Sequence, residues 1–266
     1  MNIYMHDIKI NLKSFIFWVI GLVFLIVVGM TKFLGFDGTS GTDMAFILDK
    51  IPRVVMMVFG MADVDVRSVG GFYSVLENYV VVCTIIYAIM LGSNSVARES
   101  IDKTYEFVFT KPRTRLYILT KKILAAFTYL IVFCILNLII SYIAFIILDI
   151  NNTIEKEMIL FAISNTLIGI LFFTLSIFLS AISKKSEKGI SLSFKLFMAI
   201  YIVSIFYDVF EWPKFMKVII PIKYFGAIDL LDGKLDVVFV ILSLILSGVF
   251  LIIAFRSFDK RDLVAA

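Results

Sequence analysis

Long apolar runs alternate with short polar connections along the chain, and the apolar runs dominate. Residues 14–31, 72–97, 123–148, 158–183, 189–207 and 237–255 carry at most one charge each. At about 1.5 Å of rise per helical residue, each run can cross a hydrocarbon core of about 30 Å. Lipid offers backbone N–H and C=O groups no water, so such runs satisfy themselves as helices. The pattern predicts an all-α integral membrane protein, a single transmembrane domain over residues 1–266 with six transmembrane helices.

The connections are not uniform. Residues 32–71 form a loop that opens on Gly-Phe-Asp-Gly-Thr-Ser-Gly-Thr-Asp and then sets Ile47, Leu48 and the apolar stretch 54–61 among Asp49, Lys50, Pro52 and Arg53. That mixture predicts a helix lying on the outer membrane surface. Residues 93–122 hold Arg98, Lys103, Lys111, Arg113, Arg115, Lys121 and Lys122 against Glu99, Asp102 and Glu106. Between 95 and 105 the charges are interleaved with Val, Ala, Ile and Tyr and no helix breaker intervenes. The second membrane helix is therefore expected to continue past the bilayer as an amphipathic extension. Thr110-Lys111-Pro112 should stop it, and Pro112 should open a separate short helix over 113–122, giving a bent elbow. In residues 208–236, Trp212-Pro213 and Pro221 interrupt segments 218–222 and 224–231, which are too apolar for a free loop and too short to span. They predict re-entrant half-helices before the sixth membrane helix, with their backbone groups covered by protein.

Composition narrows the function. With 61% hydrophobic residues in 266 and a mean hydropathy of +1.01, the chain is a membrane protein rather than a globular domain. Its net charge of +4 lies along membrane flanks and builds no basic face on a soluble element, so nucleic acid is not an expected partner. The single histidine, His6, is near the amino terminus, Cys83 and Cys134 fall inside apolar runs, and no Cys/His spacing suggests a metal. No Gly-x-Ser-x-Gly, His-Glu-x-x-His or phosphate-binding Gly-x-x-x-x-Gly-Lys-Ser/Thr motif occurs, and no soluble region could house an ATPase. The chain is thus expected to be no enzyme and to hold no cofactor of its own.

Charge also sets orientation. A short connection as basic as 93–122 belongs in the cytoplasm, and alternation then places both termini there, with Lys184, Lys185, Lys188 and Arg256 on the same side. Lys195, near the inner end of the fifth run, can snorkel to head groups or line an ion path. Charge alone leaves two readings of the elbow: a basic loop against anionic lipid, or a surface on which another protein can push. Among polar residues inside the runs, Asn137, Asn165 and Thr166 fit hydrogen bonding between helices. Glu77, a carboxylate in the outer third of the second run, needs a partner or water and is the candidate for a translocation path or outer gate.

Glu99, Lys103-Thr104, Glu106-Phe107, Pro112, Arg115 and Lys121 resemble the segment after the second membrane helix in permease subunits of bacterial type-2 ABC exporters. Lys103 stands where that family usually has glycine. Residues 52–60 with Gly70-Gly71, the phrase Ile-Ile-Pro-Ile-Lys-Tyr-Phe-Gly at 219–226 and the Lys-Arg-Asp ending are also similar to that family. The resemblance implies a multi-pass permease of the bacterial plasma membrane, surrounded by lipid and paired with a second permease copy or a related permease. It implies a separate ABC ATP-binding subunit, which would hold ATP and Mg, docking on the elbow through Arg98, Glu99, Lys103, Thr104, Glu106, Pro112, Arg113, Arg115 and Lys121. It further implies that Glu77, Asn78, Pro221 and Tyr224 belong to the translocation path or its outer gate. The residues themselves leave two other classes open. One is a secondary carrier or channel, which would need charges near the midplane, and the other is a non-transporting immunity or scaffold protein.

Overall fold

The computed structural model describes residues 3–38, 50–61, 64–101, 114–150, 154–183 and 185–259. Six helices in it are long and apolar enough to cross a membrane. They are α1 (Ile3–Gly38), α3 (Val69–Ile101), α4 (Arg115–Ile147), α5 (Glu155–Ile182), α6 (Ser186–Val209) and α8 (Val237–Asp259), and each of the six apolar runs falls on one of them. Two short helices, α2 (Arg53–Val58) and α7 (Ala227–Leu231), lie in the connections, and no strand occurs among the described residues.

The helices α3 and α5 form the centre. Of the most apolar window of each, 67% is buried, against 17% in α1 and α8. Their seam is close because it is built from small residues, which let backbones approach where lipid supplies no hydrophobic drive. A side chain on Gly92 of α3 would collide with Ser176 and with the Phe173 carbonyl of α5, and Gly169 of α5 faces Thr84 of α3 and Leu130 of α4. Around this pair, α1 packs on α4, α8 packs on α5, and α6 lies against both α3 and α5. The outward faces of α1 and α8 carry Phe17, Ile20, Phe24, Val238 and Ile245 exposed, as side chains meeting lipid would be.

Connections gather at two ends of the bundle. One end carries α2 and the broken stretch before α8. There Pro213 opens a 3-10 turn over Lys214–Ile219, Pro221 opens a second over Pro221–Lys223, and α7 follows, so this part is broken helix as the two prolines require. The Tyr224 hydroxyl donates to the Val218 carbonyl at 2.8 Å, the Tyr224 ring stacks on Phe239 of α8 with centroids 4.8 Å apart, and Lys223 pairs with Asp208 at the end of α6. These contacts hold the pieces down as a cap. Beside them α2 leaves Val54, Val55 and Val58 exposed and buries Met57, while Arg53 reaches Glu211 at 3.2 Å.

At the opposite end, α1 begins at Ile3, well before the apolar run does. Its first turns are tied down by Tyr4 to the Thr128 hydroxyl at 3.0 Å and by Tyr129 donating to the Ile8 carbonyl at 2.5 Å. The elbow differs from expectation in one described part. Instead of a separate short helix over 113–122, the returning arm is the start of α4, continuous from Arg115. Thr114 caps it, accepting from the Tyr117 amide at 3.3 Å, and no breaker separates Arg115 from the apolar run that follows. On the outgoing arm α3 continues past residue 97 to Ile101, as the amphipathic pattern suggested. Residues 102–113, with Lys103, Thr104, Glu106, Pro112 and Arg113, lie outside the described residues.

Candidate functional site

A cavity of about 330 Å³ opens at the capped end, between α3, α5, α6 and the broken stretch. Helical spacing explains its walls. Ser74, Glu77, Asn78 and Val81 recur at three- and four-residue steps on one face of α3, and Phe161, Ser164 and Ile168 do the same on α5. Tyr207 and Asp208 come from the end of α6, Ile222, Lys223 and Phe225 from the cap, and Met57 and Gly60 from the α2 connection. Gly60 has φ +70°, and a side chain there would strike the Asn78 amide, so glycine both ends α2 and leaves room for the cavity wall.

Glu77 is the most deeply buried charge among the described residues, 1% exposed. Its carboxylate accepts from the Tyr73 hydroxyl at 2.8 Å and from the Asn137 amide of α4 at 3.1 and 3.2 Å. The sequence expectation of an interhelical hydrogen bond at Asn137 is met, and the partner is the carboxylate itself. Thr166 instead donates within its own helix, to Ala162, and Asn165 is fully buried. Lys195 is exposed on α6, the placement expected of a lysine that snorkels.

Of the path candidates, Glu77 and Asn78 line the cavity together. Pro221 and Tyr224 are buried in the cap and shape it from behind, Pro221 by starting the second 3-10 turn and Tyr224 by its bond to Val218. The sequence reading missed Ser74, Ser164, Tyr207 and the Asp208–Lys223 pair. Ser74 could have been found, since it lies three residues before Glu77 on the same helical face; the ion pair joins residues 15 apart across a break whose path the sequence does not fix.

The elbow residues sit at the far end of the same helices. Arg98 donates to Asn11 of α1 at 2.9 Å, which ties the outgoing arm to the chain's first helix. Arg115 is exposed at the start of α4, and one and a half turns on, the Lys121 ammonium lies 5.6 Å from the centre of the Tyr117 ring. Lys122 is buried. The Glu99 side chain lies outside the described residues. The bundle thus places a charged connection at one end and a polar cavity at the other, joined by the uninterrupted helix α3.

The family model of the ABC-2 family transporter proteins matches residues 1–263. The chain belongs to that family. No curated protein matches it. As an ABC-2 family member it is a multi-pass membrane permease subunit of an ABC transporter, and its family places it in the bacterial plasma membrane. Members of the family are transmembrane components that work in general with an ATP-binding partner.

Proposed function

We propose that this ABC-2 permease is the membrane subunit of an exporter driven by a separate ATP-binding subunit, which holds ATP and Mg. A second permease copy or a related permease completes the path, lipid surrounds it, and residues 93–122 are the cytoplasmic contact through which the motor acts. The cavity at Glu77 and Asn78 is the outer end of the path, roofed by the stretch around Pro221 and Tyr224. The observation that carries this reading is the polar cavity at the end of α3 opposite the elbow. Movement imposed on one end of a continuous helix is felt at the other, provided the motor contacts the elbow differently in its two nucleotide states.

Orientation is tested first. Single cysteines at Thr114 and Lys185 should be shielded from an impermeant thiol reagent in intact cells, and one at Asn152 should be labelled. Labelling of Thr114 from outside would reverse the topology. The cavity is tested by Glu77→Gln, which keeps shape and removes charge. Substrate-stimulated ATPase of the assembled complex should fall about tenfold, the scale of losing hydrogen bonds to a charged group. Unchanged activity at normal expression would make Glu77 a packing residue and remove the cavity from the path.

A further inference from the structure

The deepest polar lining of the cavity offers acceptors rather than donors. Ser74 commits its hydroxyl proton to the Gly71 carbonyl at 2.7 Å and Ser164 commits its own to the Phe161 carbonyl at 2.8 Å. Both hydroxyls are almost fully buried, so what they can show the cavity is lone pairs. Glu77 accepts from two neutral groups, Tyr73 and Asn137, and no described lysine or arginine pairs with it.

Three lysines, Lys214, Lys217 and Lys223, line the mouth. Lys223 pairs with Asp208. The Lys217 ammonium and the Asp229 carboxylate converge beside Gly226, at 4.0 and 2.9 Å from where a side-chain carbon there would stand, and Lys214 is exposed on the rim. Among the described residues Glu77 therefore has no cationic partner in contact, in a pocket whose lining combines the apolar Val81, Phe161, Ile168 and Phe225 with Asn78, Asp208, Asp229 and the three lysines.

We propose that this cavity binds a primary ammonium group carried on an apolar body, with the ammonium seated on Glu77 and the Ser74 and Ser164 oxygens. The inference rests on the reading of the cavity as part of the path and names the substrate class for it. An ammonium has three donors and no acceptor, the complement of this floor, and a buried charge is tolerated when it is paired and hydrogen-bonded. An anion could pair with the lysines at the mouth but would meet the carboxylate of Glu77 further in. An alkali cation would use the floor and leave the apolar walls idle. The volume lies at the lower end of the range for small-molecule pockets, about 300–1,000 Å³.

The test uses the full chain in phosphatidylcholine nanodiscs, with Cys83 and Cys134 replaced by alanine and a reporter cysteine at Val64 on the cavity wall. Hexylammonium should slow labelling of that cysteine at concentrations about tenfold lower than hexanol, hexanoate should not slow it, and Glu77→Gln should erase the preference for the amine. Because amine and alcohol are compared on the unmutated site, the result does not depend on the variant folding. Equal protection by amine and alcohol, equal protection by sodium ion, or none by any probe would each overturn the proposal. Replacing part of the lipid by phosphatidylethanolamine separates two sources of the same chemistry. Slow labelling before any amine is added would assign the ammonium to a lipid head group, and unchanged labelling followed by hexylammonium protection would assign it to a soluble amine. Loss of amine protection with an intact ATPase contact would sink this inference alone, and loss of the ATPase contact with amine protection intact would sink the exporter reading alone.

Discussion

Gly92→Val is expected to abolish the folded permease. Gly92 sits in the tight seam between α3 and α5, and its missing side chain is what leaves room for α5 there. Any side-chain carbon there would overlap the Ser176 hydroxyl and stand 2.5 Å from the Phe173 carbonyl oxygen. The hydroxyl could swing aside; the carbonyl belongs to the α5 backbone and cannot. Relief requires the two central helices to separate, and overpacking of this kind costs about 1–3 kcal/mol even where flexible side chains absorb it. With backbone in the way the cost lies at or above the top of that range. The check is monodisperse yield in detergent together with a thermal unfolding curve. Ser176→Ala should fail to rescue Gly92→Val, because the carbonyl clash remains. Gly21→Val on α1 should be tolerated, since nothing lies within 4 Å of that position. A stable, monodisperse Gly92→Val protein would mean that α3 and α5 are not the tight centre of the bundle.

The six membrane helices were legible because a long apolar run with at most one charge and no proline has one stable form in lipid. Their ends were less so. Hydropathy marks where the bilayer stops and says nothing about whether the helix does. Lys9 and Lys13 hid the first turns of α1, which are helical from Ile3 and bonded to α4 through Tyr4 and Tyr129. Pro112 suggested a second short helix in the elbow, yet the cap at Thr114 and the absence of any breaker after Arg115 fuse that arm with α4.

In the site, Glu77 was readable because a lone carboxylate in an apolar run has few explanations. Its partner Asn137 was recognised as an interhelical hydrogen-bonding residue without being assigned to Glu77, because a single sequence does not say which helix faces meet. Ser74 was readable only through its place three residues before Glu77 on the same helical face, and Ser164 carried no signal: serines in membrane helices commonly bond back to their own backbone, as these do, and only the fold reveals that they border a cavity. Asp208 and Lys223 meet because the chain reverses through Trp212-Pro213, a path that composition alone leaves undetermined.

Reversing the charges of the elbow is expected to uncouple the transporter while leaving the permease folded. In the sequence Glu99 and Glu106 stand at a helical seven-residue spacing and Arg113 and Arg115 follow Pro112, so the proposed coupling surface carries opposite charge on its two sides. The arms are anchored from within: Arg98 is bonded to Asn11, and Thr114 caps α4. Substitutions at 106, 113 and 115 leave these anchors in place. Like charges brought together in a protein contact cost several kcal/mol, so Glu106→Lys, or Arg113→Glu with Arg115→Glu, should weaken ATPase docking by about a hundredfold or more. The decisive measurement is pull-down of the ATP-binding subunit and ATP-dependent transport, made on the same membranes for the unmutated chain and both reversals. The exporter reading predicts normal permease abundance with docking or transport lost in each reversal. Normal docking and normal transport in both would show the elbow to be a basic loop against lipid and would contradict its role as the coupling surface.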